Sequence, residues 1–247
     1  MRYLVLSDLH ANFQALEAVL ATAPPRSYDS FLVLGDLVGY GADPNVVIEQ
    51  IRELRPNLVI RGNHDKVASG LLAPETFNPA ARHAVTWTIE ALDATNREYL
   101  RTLPAGPVLL DENVELWHGA PDDEDFYIFT LEDAEHAVDL LRRPLGLFGH
   151  THVQGVYRLP DETNGVRYVR PDVSGRIALP ANGRILINPG SVGQPRDGDP
   201  RAAFAIVDTD AHVVELRRVP YPVAVAQARI LEAGLPLSLA TRLAVGR

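Results

Sequence analysis

The chain has 247 residues, 46% hydrophobic and 22% charged, a balance that fits an ordinary globular protein and, at this length, one domain over residues 1–247. It contains no cysteine, which excludes disulfides and thiolate metal sites, so a bound metal must be held by oxygen and nitrogen. A net charge of −9 disfavours non-specific attraction to nucleic acid or anionic membranes, and no stretch approaches the roughly 20 apolar residues of a membrane span, so a cytoplasmic protein is expected.

Residues 2–7 predict a first strand whose end delivers Ser7, Asp8, Leu9 and His10. A helix follows over 13–23, with Phe13, Leu16, Val19 and Leu20 at amphipathic spacing, Asn12 as its cap and Pro24-Pro25 as its stop. Phe31-Leu32-Val33-Leu34 is a continuous apolar run that ends abruptly in Gly35 and Asp36. It reads as a strand buried on both faces, with Asp36 emerging at its carboxyl end. After Gly39-Tyr40-Gly41, the Asp43-Pro44-Asn45 segment opens a helix to about residue 54, and Leu58-Val59-Ile60 makes a third strand carrying the chain to Asn63, His64 and Asp65. This β-α-β-α-β order predicts parallel neighbours and brings Asp8, Asp36 and Asn63 to one sheet edge.

Residues 66–103 read as a helical insertion, with helices over 80–92 and 96–103, Phe77, Trp87 and Ile89 as packing residues and His83 in or beside that core. A hairpin is expected from 107–110 and 114–117, ending in His118-Gly119, and the acidic run 122–125 reads as a solvated loop. Thr130 with Asp133 resembles a capping box for a helix to about 143, and the strand at 145–148 ends in Gly149-His150-Thr151-His152. Short alternating strands then follow at 155–159, 167–169, 184–188, 203–208 and 213–219, and suit a second, mainly antiparallel sheet. A helix over 223–232 precedes a tail that is either a further helix or loosely held.

Five strand ends therefore present Asp, His and Asn. In extended backbone, residues two apart share a side, so Asp8 with His10, and His150 with His152, each offer two ligands to one place. Together with Asp36, Asn63 and His118 they make seven donors, more than one ion needs. Two ions about 3.5–4 Å apart would use them all if one carboxylate bridges, and Asp36, from the middle of the first three strands, is the natural bridge. Such a pair leaves surplus positive charge for a hydroxide and an incoming phosphate, so in-line attack on phosphorus follows. Asn63 ligates without adding negative charge. Mixed nitrogen and oxygen donors suit manganese, iron, zinc, cobalt or nickel better than calcium. His64, next to a ligand, is placed to protonate the leaving oxygen or stabilise charge on the transition state, the alternative being that it only orients a neighbour. Arg196 offers a bidentate donor for the substrate's phosphate, against a plain surface role. Asp65 reads as a cap or supporting partner, and Tyr40 and Asn78 as either pocket or loop residues.

Asp8-x-His10, Gly35-Asp36, Gly62-Asn63-His64-Asp65, His118-Gly119 and Gly149-His150-Thr151-His152, in that order, resemble the five motifs of the calcineurin-like metallophosphoesterase superfamily across roughly residues 3–152. The resemblance implies a mixed α/β fold, a four-layer α-β-β-α sandwich of two mixed sheets, with a binuclear metal centre. It implies Asp8, His10, Asp36 and His152 on the first metal, Asp36, Asn63, His118 and His150 on the second, and His64 as the catalytic histidine. Length and the Asn188-Pro189-Gly190-Ser191-Val192-Gly193 run resemble the compact prokaryotic phosphodiesterase branch, whose members cleave aryl phosphodiesters or phosphorylated metabolites. Gly39-Tyr40-Gly41 stands where the protein serine/threonine phosphatases carry Asp-Arg-Gly, which argues against phosphoprotein substrates. The expectation is a hydrolase that uses two divalent transition metals, manganese first, on a small phosphodiester or phosphomonoester, nucleotides included. The alternatives are a nuclease, disfavoured by the acidic balance, and a non-catalytic scaffold of the same fold, disfavoured by the complete motif set. Membrane partners are not expected, and a homo-oligomer is compatible with the sequence.

Overall fold

The computed structural model describes residues 1–159, 165–170, 175–179 and 183–247. In chain order its strands and α-helices are β1 (Arg2–Leu6), α1 (Phe13–Thr22), β2 (Ser30–Val33), α2 (Pro44–Leu54), β3 (Leu58–Val59), α3 (Asn63–Ala68), α4 (Pro79–Ala91), α5 (Ala94–Thr102), β4 (Val108–Leu109) and β5 (Val114–Leu116). They continue with α6 (Leu131–Leu140), β6 (Leu145–Leu147), β7 (Gly155–Leu159), β8 (Arg167–Tyr168), β9 (Arg176–Ala178), β10 (Arg184–Asn188), β11 (Ala202–Asp208), β12 (Val213–Val219), α7 (Val223–Glu232) and α8 (Leu237–Leu243).

The local rules hold at most helix starts. The Asn12 side chain accepts from Ala15 N at the start of α1, Asn78 caps α4 through Ala81 N, and Thr130 with Asp133 forms a capping box on α6. The cap of α5 is Asp93, so that helix begins before residue 96.

β1, β2 and β3 are parallel neighbours, as predicted, with β2 in the middle. Alternation along β1 sorts its side chains between two cores: Leu4 and Leu6 face α1 and α2, while Tyr3 and Val5 face the second sheet. One apolar cluster lies under the helices of the first sheet, one between the sheets, and a third joins Trp117, Phe148 and Leu186 to α6. The layers are therefore α-β-β-α, in two mixed sheets of order β3-β2-β1-β11-β12-β9 and β4-β5-β6-β10-β7-β8.

The strands after residue 152 do not form a sheet of their own. β7, β8 and β10 extend the sheet that holds β5 and β6, with β10 parallel to β6, whereas β11 and β12 join the first sheet, β11 running antiparallel to β1. Alternation identifies a strand but not its partner, which here lies about 200 positions away, Tyr3 opposite Val207. Three smaller expectations also change. β3 is only Leu58–Val59, and α3 begins at Asn63 itself. His83 is exposed on α4, because Ala81, Ala84 and Val85 take the buried face. The tail is a packed helix, with Leu239, Ala240 and Leu243 buried in the first core. Val67, Ala84, Val85 and Leu100 of the 66–103 segment lie in that core too, so its helices are continuous with the sandwich. No helix among the described residues is long and apolar enough to cross a membrane.

Candidate metal centre

Four strands stop just short of the chemistry. Asp8 and Asp36 follow β1 and β2 of the first sheet, and His118 and His150 follow β5 and β6 of the second. Two groups of side chains converge there, Asp8, His10, Asp36 and His152 in one and Asp36, His118 and His150 in the other, the ligand atoms of each lying within 4.8 Å of one another. Asp36 belongs to both. All six residues are buried.

Backbone conformation, more than side-chain choice, makes this convergence possible. Asp8, His10, Asp36, His150 and His152 all have φ between 48° and 67°, the left-handed region that residues other than glycine rarely enter. The extended-backbone pairing expected for Asp8 with His10 and His150 with His152 is thus replaced by tight turns. Each left-handed residue costs about 1–3 kcal/mol and persists only where its surroundings enforce it. Cross-links between loops do so here: Asp8 N donates to Gly35 O, His10 N to Asp36 O, Gly193 N to Asp8 O, and Ser191 Oγ to Asp8 O. Asn188, the last residue of β10, donates to Gly149 O and Thr151 Oγ1 and so fixes the turn between His150 and His152. The 188–193 run therefore works as a brace for the ligand loops as well as a set of turns.

Hydrogen bonds settle which imidazole nitrogen faces inward. Nδ1 of His10, His118 and His152 lies 3.0, 2.7 and 2.7 Å from the carbonyls of Val38, Leu34 and Gln194, while His150 turns its Nε2 to Asp125 O at 3.1 Å. In a neutral ring, a nitrogen that faces a carbonyl must donate to it, leaving the other with a lone pair. Consequently His10 Nε2 and His152 Nε2 oppose each other at 3.0 Å as a pair of acceptors, and His118 Nε2 and His150 Nδ1 stand 3.2 Å apart. His10 Nε2 and His118 Nε2 stand 3.6 and 3.4 Å from Asp36 Oδ2, and His152 Nε2 is 3.4 Å from Asp8 Oδ1. Lone pairs and carboxylate oxygens packed this closely repel unless a cation lies among them, and the donor set fits a transition metal.

The electrostatics agree. Burial, with Asp36 adding to it, pushes Asp8 up to about 7. Burial also takes His10 and His152 well below their ordinary value and His150 down to about 3, so they stay neutral ligands. At His118 burial is overcome by Asp36, which holds the imidazole up to about 10, and burial at Asp36 is likewise overcome by the imidazoles around it. The site is short of positive charge.

Asn63 Oδ1 is buried without a hydrogen-bond partner, the state of an acceptor waiting for a ligand, and the adjacent amide, His64 N, donates to Asp36 Oδ1 at 2.9 Å. Asp65 accepts from Gly62 N, Leu37 N and Val38 N, and so ties α3 to the Asp36 loop, which is the supporting role expected of it. His64 packs 4.4 Å from the ring of Tyr40 and 4.6 Å from that of Phe77, and burial holds its pKa down to about 4. A cavity of about 480 Å³ opens beside it, lined by Asn63, His64, His150, Tyr40, Phe77 and Tyr127 among others. Arg196, half-buried, donates from its backbone to His152 O and sets its guanidinium over the Tyr40 ring at 5.5 Å.

Sequence reasoning missed two contributors in the 122–130 loop. Tyr127 stacks on His150 at 3.8 Å, and Asp125 supplies the carbonyl that orients it. That loop is not simply solvated, because Glu124 pairs with Arg61 and Lys66. The aromatic run Phe126, Tyr127, Phe129 beside the acidic residues was the available signal.

Buried carboxylates and imidazoles gathered from both sheets of an α-β-β-α sandwich define a metal-binding phosphoesterase fold. A sequence model of the calcineurin-like phosphoesterase superfamily domain matches residues 1–212, and the chain belongs to that superfamily. It is 34% identical over 252 residues to an uncharacterized protein of Methanocaldococcus jannaschii, covering 98% of this chain and 97% of that one. Among solved structures it is similar to a metallophosphoesterase from Sphaerobacter thermophilus, with TM-score 0.88 and 42% identity over 100% of this chain and 99% of the other. It shares its fold with a hypothetical protein from Pyrococcus horikoshii, TM-score 0.79 and 24% identity over 100% and 98%.

Proposed function

We propose that this protein is a single-domain cytoplasmic hydrolase that uses two divalent transition-metal ions, manganese first, to cleave small phosphodiesters or phosphomonoesters, nucleotides among them. The observation that carries the reading is the double membership of Asp36, which stands in both groups of converging donors. Asp8, His10, Asp36 and His152 would hold one ion, and Asp36, Asn63, His118 and His150 the other. Bound there, the ions would supply a water acidified to hydroxide and positive charge for the phosphate oxygens.

The chain's own residues do the rest. His64 lines the cavity as a neutral ring and presents an N–H where a leaving oxygen would sit. Arg196, beside His152, is placed to take a phosphate oxygen. Tyr40, Phe77 and Tyr127 give the cavity aromatic walls that suit a planar group, and a volume of about 480 Å³ favours a small ester over a polymer. The net charge of −9 points the same way.

The test is hydrolysis by purified protein loaded in turn with manganese, cobalt, nickel, zinc or iron, on aryl phosphodiesters, phosphomonoesters, cyclic nucleotides, DNA and RNA. At least one small ester should turn over, and chelation should stop it. No turnover of any ester with any metal overturns the reading, and a clear preference for DNA or RNA replaces it with a nuclease.

A further inference from the structure

Eight arginines pair with carboxylates among the described residues. Arg218 lies on Asp197, Arg201 on Asp199 and Arg229 on Asp43. Two others are not so paired. Arg196 Nη2 and Arg242 Nη1 both donate to one neutral acceptor, Oε1 of the buried Gln194, at 2.9 and 3.1 Å, and neither has a carboxylate within ion-pair distance among the described residues. Arg196 Nε is also buried without a partner.

Two guanidiniums brought to a single amide oxygen repel each other, and burial together with Arg196 lowers the pKa of Arg242. An arrangement of this kind persists at a functional site when an anion completes it. The pair stands at the metal centre. Arg196 follows His152 through its backbone bond, covers Tyr40, and its charge is felt at Asp8, His10, His64 and His152. Arg242 comes from α8, the packed tail helix, next to Tyr40 and Arg196. One arginine suffices for the reacting phosphate, which the metals also neutralise. The second has no anion left to bind in a substrate with one phosphate.

We propose that Arg196 and Arg242 together bind a second phosphate group of the substrate, beside the one that reacts, so that the preferred substrates carry two linked phosphates. This rests on the phosphoesterase reading above. Their planar forks suit the oxygens of adjacent phosphates, and Gln194 holds the two forks at a fixed spacing.

Isothermal titration of the manganese-loaded protein with AMP and with the α,β-methylene analogue of ADP compares one phosphate with two. The wild type should bind the two-phosphate ligand about tenfold or more tightly, the scale of one charge-assisted hydrogen bond. Arg242→Gln should reduce that ratio to below about threefold, and Arg242→Lys, which keeps the charge without the fork, should fall between. Equal wild-type affinities, or a ratio that Arg242→Gln leaves unchanged, overturn the proposal. So does equal weakening of both ligands, since Arg242 would then only position Arg196. Because titration needs no turnover, a protein that hydrolyses no ester would fail the test of the preceding subsection while this ratio still decides the arginine pair.

Discussion

The five left-handed ligands explain why a shared carboxylate can sit where it does. Asp36, at φ 53°, uses Oδ1 to hold His64 N and keeps Oδ2 for the imidazoles of His10 and His118. The two oxygens thus separate a structural duty from a ligand duty. Asp36→Asn preserves an acceptor for His64 N but removes the charge that both donor groups share. Metal content measured by elemental analysis should fall from two ions per chain toward one or fewer, while the far-ultraviolet circular dichroism stays that of the native fold. Full occupancy in that variant would remove the bridging role. His64→Ala should separate differently. The residue offers no ligand atom to either donor group, its amide holding Asp36 Oδ1 and its ring lying edge-on to His10 at 5.0 Å, so metal content should be kept while kcat drops by about 10²–10⁴ on a substrate with a poor leaving group. A substrate whose leaving oxygen is already stable as an anion, such as a nitrophenyl ester, leans less on a hydrogen bond from that ring and should lose less.

At the scale of elements, the active surface is made by the turns between strands and helices, and one of these depends on a missing side chain. Gly39, in the connection from β2 to α2, has φ 89°, and a Cβ there would fall 2.3 Å from His64 Nδ1. Gly39→Ala should therefore cost about 1–3 kcal/mol in backbone strain, read as a lower urea midpoint, and should displace the His64 ring. The expected signature is reduced kcat with unchanged metal content; unchanged kcat would mean that the ring's placement is not critical. The elements themselves were largely legible, because amphipathic spacing, Asn12, Asn78 and the Thr130–Asp133 box act locally. So were the six converging Asp and His side chains, whose types stand out at the ends of apolar runs. What sequence could not disclose was every feature set by distant partners: the division of β7 to β12 between two sheets, the left-handed turns that aim the ligands, the carbonyls that choose each histidine's inward nitrogen, and the meeting of Arg242 with Arg196. These depend on loops brought together by the sandwich, and no local periodicity encodes them.

Across the whole molecule, each donor group draws on both sheets. Asp8, His10 and Asp36 from the first sheet face His152 from the second, and Asp36 from the first faces His118 and His150 from the second. Ions held there would clip the two sheets together across the apolar layer formed by Val5, Leu32, Leu116 and Leu147. They would also neutralise the Asp8 and Asp36 carboxylates, whose mutual repulsion and burial raise the pKa of Asp8. Binding to the folded state alone adds about 2.7 kcal/mol when free metal is 100 times its dissociation constant. For a chain of this size that corresponds to a rise of about 5–10 °C in melting temperature. Calorimetry should show that a strong chelator lowers the transition by this order and that added manganese restores it. The direction follows from which state binds the ion: a folded protein that gathers the ligands gains, and an unfolded chain that scatters them over 145 positions, from Asp8 to His152, gains little. Asp36→Asn should retain at most about half of the rise, since it weakens the link in both groups. A melting temperature indifferent to chelation and to added metal would mean that the converging donors bind no ion in the folded protein, and the clip between the sheets would have to be given up with the chemistry built on it.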